Sequence, residues 1–155
     1  MGNESLKLRG DVIIERRKKD GTVIDREELK NLIVNAGKER VAKLLTKGEA
    51  SDAFGYIAIG LSETGDSVAV GDTALVSEVT RAEADDSGGS YEADYKCVFE
   101  KTFAFGTGEE YEIAEAGVFD SLTETGSTMF DRFVFSSKSV DEDTDLYVKV
   151  TVTVA

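Results

Sequence analysis

The chain has 155 residues, enough for one domain with a substantial core, and carries a net charge of −13 with one cysteine and no histidine. The lack of histidine excludes the commonest general base, the commonest zinc ligand and every imidazole triad, and a lone Cys97 excludes an intramolecular disulfide or a thiolate metal cluster. A hydrophobic fraction of 41% marks a folded chain, and no apolar run approaches the length of a membrane span.

The charge is unevenly placed. Residues 1–47 hold 12 Lys/Arg against 8 Asp/Glu, and residues 48–155 hold 6 against 23. An acidic body repels nucleic acid and anionic membrane. A basic N-terminal region attached to it points to docking on an acidic protein surface, although charge that drifts along a chain without purpose fits the same counts. The opening MGNESLKLRGD has no apolar stretch and does not read as a signal peptide.

In chain order, residues 6–28 read as a hairpin. Leu6, Leu8, Val12 and Ile14 share parity, Lys19-Asp20-Gly21 is a hairpin turn, and TVIDREEL returns. This predicts an N-terminal arm over 1–28, separate from a body over 29–155. In NLIVNAGKERVAKLLTKG, Asn35 is the expected N-cap. Val41, Leu44 and Leu45 recur at helical spacing, and Lys47 and Gly48 supply the stop. A helix near 36–47 follows. YIAIG (56–60) reads as a short buried strand, and TALVSEV (73–79) fits either a strand or a helical turn. YEADYKCVFEKTFAF (91–105) alternates throughout and is predicted as one strand, with Cys97 a small half-buried member. Three more strands lie at 110–120, 128–136 and 145–155. The last has Leu146, Val148, Val150, Val152 and Val154 on one face. Many short strands with turns between them predict a mainly β chain: an antiparallel β-sandwich or barrel with one short α-helix and an N-terminal β-hairpin arm.

The stretch GLSETGDS (60–67) almost spells a phosphate-binding loop, but Asp66 stands where that loop needs lysine, and VAVGDTALV after it opens no helix. It is expected to be a polar loop between strands. Asp141, Asp143 and Asp145 mimic the start of a calcium loop. Leu146 and Val152 then replace the glycine and glutamate an EF-hand requires, leaving a loose surface calcium site or a solvated turn. Glu109–Glu110 and Glu112–Glu115 are paired carboxylates with nothing to single out a catalytic pair. No catalytic, cofactor or metal residue is therefore expected, and the chain is read as a non-enzyme. The candidate partner-docking residues are Arg9, Arg16, Arg17, Lys18 and Lys19. The bland alternative for the last four is a solvated turn that discourages edge pairing.

The order of LKNLIVNAGKERVAKLL (29–45), YIAIG (56–60), GDTALVSEVTR (71–81), EAGVFD (115–120), GSTMFDRFVFS (126–136) and the closing valine-rich strand resembles small structural proteins of tailed bacteriophages and tailed archaeal viruses. The resemblance spans residues 6–155. It implies a virion protein that forms a homo-oligomer, with trimers favoured, and that binds the major capsid protein or another virion protein rather than nucleic acid or membrane. Two roles follow: a capsid decoration (cement) protein that stabilises the assembled head, or a tail-tip or fibre component that attaches to the host. Loops 61–72, 84–90 and 106–110 are acidic and Gly/Ser-rich without aromatics, which leans toward decoration. Removing residues 1–28 is expected to abolish incorporation while leaving the body folded.

Overall fold

The structure, a computed structural model, describes residues 5–49, 52–62 and 66–155. Two five-stranded antiparallel sheets pack as a β-sandwich. Sheet A runs β2 (Val23–Lys30), β1 (Leu8–Lys18), β10 (Thr144–Val154), β7 (Lys96–Phe103) and β6 (Ser90–Glu92). Sheet B runs β3 (Leu32–Ile33), β9 (Met129–Val140), β8 (Tyr111–Phe119), β4 (Tyr56–Gly60) and β5 (Glu78–Glu83).

β10 shows why sheet A forms. Leu146, Val148, Val150 and Val152 are at most 2% exposed. The residues between them, Tyr147, Lys149 and Thr151, are half-buried on the other face. β-Branched side chains on a two-residue repeat suit a pleated surface with one wet face.

The expected separable arm is corrected here. The hairpin exists, but β1 pairs with β10 along its whole length, from Leu8 opposite Val154 to Lys18 opposite Thr144. Val12 and Ile14 are core residues at 1% and 0% exposure. A two-stranded hairpin is marginal alone, and the apolar face of β1 finds its cover only in the sandwich. A boundary at residue 28 falls inside β2. Removing 1–28 would strip β1 from β10 and open the core.

Sheet B is built differently. β8 and β9 are buried on both faces over much of their length. One face meets sheet A. The other carries a second small core of Val34, Ala58, Leu75, Phe119 and Met129. This outer core lies under the segment between β4 and β5 and under helix α1 (Asn35–Leu44), which packs on β9. Gly37 allows the close approach, because a Cβ there would lie 2.3 Å from the Phe130 carbonyl oxygen.

Three local expectations change. Asn35 is the first helical residue rather than the cap; its N–H donates to Val70, and Val34 holds the cap position without a side-chain cap. The helix ends at Leu44, short of Lys47, with Thr46 N–H donating to Lys43 in a tightened last turn. The long strand 91–105 is broken by a turn over 93–95, where Asp94 (φ 67°) and Tyr95 (φ 64°) are both left-handed. Segment 73–79 is irregular until β5 begins at Glu78.

Candidate functional site

The most elaborate polar construction in the described residues is a charged cluster on the outer face of sheet B. Arg132 is 2% exposed and Glu115 is fully buried. They face each other across β9 and β8, with Arg132 Nη2 donating to Glu115 at 2.7 Å and Nε at 3.1 Å. Arg132 Nη1 reaches Asp72 at 3.0 Å, and Nη2 also pairs with Asp66. Glu115 in turn accepts the N–H groups of Val76 at 3.1 Å and Ser77 at 2.8 Å. Gly60 makes room for this carboxylate, since a Cβ there would lie 2.6 Å from Glu115 Oε1. Burial works against the charge on Arg132, but the hydrogen bonds from Glu115, Asp66 and Asp72 outweigh it and hold the guanidinium protonated. The Arg132 and Ser62 hydrogen bonds keep Asp66 below the ordinary carboxylate range.

This geometry explains the false phosphate loop. Asp66, in the lysine place, is an anchor for a buried arginine, and Gly60 serves Glu115. Residues 63–65 of that stretch lie outside the described residues. The network ties the segment between β4 and β5 down over the outer core. Arg132 and Asp72 were not singled out in the sequence, and Glu115 drew notice only as one of several paired carboxylates. Their signal was a charge inside an apolar strand, in MFDRFVF and EIAEAGVF.

Beside the network, Asp131 is fully buried and has no ion-pair partner among the described residues. It accepts N–H groups from Val118 at 2.8 Å and from the Asn31 amide. Burial pushes its carboxyl up to about 7 against both hydrogen bonds.

The five predicted docking residues do not form one free basic patch. Arg16 is bound to Asp25 at 2.6 Å and Arg17 to Glu15 at 3.2 Å, with the Arg17 guanidinium 3.8 Å over the Tyr147 ring. Lys19 pairs with Asp145 at 2.5 Å. Arg9, near the opposite end of β1, lies 3.8 Å from Asp11. Lys18 is exposed and has no carboxylate partner among the described residues. The tip of the hairpin is thus largely neutralised by its own sheet.

Several other carboxylates singled out in the sequence are engaged as well. An open cleft of about 600 Å³ is lined by Glu27, Asp66, Glu112, Phe135, Ser136 and Ser137. Glu112 accepts the hydroxyls of Ser139 and Ser137, and those bonds hold it below its ordinary range. Glu112 and Asp66 are therefore ionised well below neutrality and are poor proton shuttles near pH 7. Asp141 accepts from Asp143 N–H at 2.9 Å and Thr144 at 3.1 Å, so the calcium-like run is a turn stitched by its own first aspartate. Among the described residues no three acidic or thiol groups converge as a metal site. Cys97 is half-buried in β7, and burial raises its thiol pKa.

The aromatic side chains contain a surprise. Tyr91 and Tyr95 flank the 93–95 turn at 75% and 73% exposure. Loops 61–72, 84–90 and 106–110 carry no aromatics, but these two tyrosines stand at a further turn that the alternation of 91–105 hid. No family model, curated protein or solved structure matches this chain.

Proposed function

We propose that the chain is a non-enzymatic structural protein of a tailed-virus particle, a decoration protein that binds the assembled head through the major capsid protein. The observation that carries this reading is the distribution of contact chemistry over the sandwich. Its surface is predominantly acidic, while the end where β1 starts and α1 lies presents exposed Leu6 with half-buried Leu8 and Val41 beside Lys7 and Lys38. An acidic body with one apolar, basic-rimmed end suits a subunit that seats that end on a partner and turns the rest to solvent. Many copies bound only to the assembled shell would stabilise it by mass action.

The exposed Tyr91 and Tyr95 favour a second reading, a tail-tip or fibre component that contacts a host surface, because rigid aromatics on turns are common recognition anchors. Quantitative mass spectrometry of purified virions separates the two. A copy number comparable to the major capsid protein supports decoration. A few copies per particle support the tail reading, and absence from the particle rejects both.

A further inference from the structure

Asp131 lies on the inner face of β9, opposite to the Arg132 network. Its partners in register, Ile33 and Val118, both belong to the main core. Asn31 is the link between β2 and β3, where the chain crosses from sheet A to sheet B. Its backbone N–H donates to the Gly10 carbonyl on β1 at 3.4 Å. Its side chain lies against Gly10, where any Cβ would collide with the amide. From there the amide reaches Asp131. The two side chains thus form a polar bridge from one sheet to the other inside the core.

As an ion, this bridge is incompletely bonded. Asp131 Oδ1 accepts the Val118 N–H at 2.8 Å, and Oδ2 accepts from Asn31 Nδ2. Asn31 Oδ1 is buried too, and no donor reaches it among the described residues. A buried amide oxygen without a donor beside a buried carboxylate without a cation is costly on both counts. One proton answers both. A carboxylic acid is a donor, and the two ends of a carboxamide are nearly equal in size. A half-turn of the Asn31 amide therefore sets Oδ1 against an Asp131 O–H.

The surrounding elements bring no charge that would take the place of that proton. Val118 on β8 and Ile33 on β3 are apolar, as are Gly10 on β1 and its partner Val152 on β10. Cys97 on β7 follows in the same row, a thiol whose pKa is raised by burial and by the Asp131 charge. Lys30 on β2 is bound to Asp11, and Arg40 on α1 to Asp120. Arg132 points to the outer face and is held by Glu115. The upward displacement of the Asp131 carboxyl by burial acts in the same sense as this geometry.

We propose that Asp131 and Asn31 form a proton-operated latch between the two sheets. In the closed state the Asp131 O–H donates to Asn31 Oδ1, while the Val118 N–H donates to the other carboxyl oxygen. Loss of the proton to water turns the amide, so that Nδ2 donates to a bare carboxylate and Oδ1 is left without a donor. The crossing from β2 to β3 is then weakened. That crossing positions Val34, whose N–H donates to Phe130 at 3.1 Å and whose side chain belongs to the outer core under α1. The latch therefore couples one proton to the seating of α1 as well as to the joining of the sheets. It is a property of the isolated chain and does not depend on the virion reading.

The test follows the purified full chain by NMR from about pH 4 to about pH 9. The Asp131 carboxyl carbon should titrate near pH 7, and the Asn31 side-chain amide carbon should move with the same midpoint. Amide exchange at Asn31 and Val34, corrected for base catalysis, should show protection about tenfold lower at pH 8 than at pH 6. An opening that solvates Asp131 gains that factor when the folded midpoint is about 7. Asp131→Asn keeps a donor facing Asn31 and should abolish the difference. An Asp131 carbon that titrates near its ordinary value of about 4 would overturn the proposal. So would an Asn31 amide carbon that stays still through the Asp131 titration, or equal protection at both pH values. These wild-type measurements decide the matter even if Asp131→Asn does not fold.

Discussion

The two sheets solve the same problem in different ways. Sheet A buries one face and wets the other, and its strands alternate accordingly. Sheet B buries both faces of β8 and β9, so its outer surface needs a roof and its polar residues need partners. Arg132 supplies both: it satisfies Glu115 and binds Asp66 and Asp72 from the covering segment. A one-face sheet is stabilised by pattern, whereas a two-face sheet with charge inside is stabilised only when every charge is answered.

Removing residues 1–28 should have the largest effect. The loss of β1 and β2 uncovers β10, and circular dichroism and thermal melting should show no cooperative transition. A folded, cooperative truncation would mean that sheet B and the remnant of sheet A form a core without the hairpin.

Next comes the charge inside sheet B. Arg132→Ala leaves Glu115 buried and unpaired, and should cost ~3–5 kcal/mol in urea denaturation. Arg132→Leu combined with Glu115→Leu should recover much of that loss, because apolar replacement of a buried pair is often tolerated. If the double variant were as unstable as the single one, the pair would be doing more than cancelling its own burial cost.

Asp131 sharpens the contrast through pH. Its folded-state carboxyl is raised to about 7, so between about pH 4 and pH 7 the folded chain keeps a proton that the unfolded chain releases. Stability from this group is complete below about pH 4 and is lost as pH rises to about 7, a decline of ~4 kcal/mol. Asp66 and Glu112, whose values are lowered, act in the opposite sense but finish titrating below this window. Asp131→Asn should flatten the decline between pH 5 and 8 in chemical denaturation. An unchanged slope would assign it elsewhere.

The smaller effects lie at the rim. Asp66→Lys sets a cation against Arg132 and should cost ~1 kcal/mol. It should create no affinity for ATP in calorimetry, since no helix N-terminus waits behind the loop. Replacing Arg9 or Lys18 by glutamine should leave stability unchanged within measurement error, because neither side chain is buried.

Legibility in the sequence followed the same division. The valine repeat of β10 and the Asp-Gly turn after β1 announce their structure, because period-two burial leaves a period-two pattern. The docking of β1 on β10 was not legible, since pairing between strands far apart in sequence leaves no local trace. The 93–95 turn was missed because Asp94 and Tyr95 adopt left-handed backbone without glycine, inside an unbroken alternation. Of the charged cluster, Asp66 reads as a defect in a motif and Glu115 as one of several paired carboxylates with nothing to mark it. Their partner Arg132 is 66 positions away from Asp66 and looks like an ordinary strand residue. The basic hairpin tip was legible as charge but not as neutralised charge, because Asp25 and Asp145 reach it only through cross-strand register.

The decisive measurement is amide hydrogen exchange at Val76 and Ser77, whose N–H groups are donated to Glu115. Strong protection, lost in Arg132→Ala, is the predicted result. Exchange at the rate of a free loop would show the roof open and the outer face of sheet B available to partners, contradicting the account.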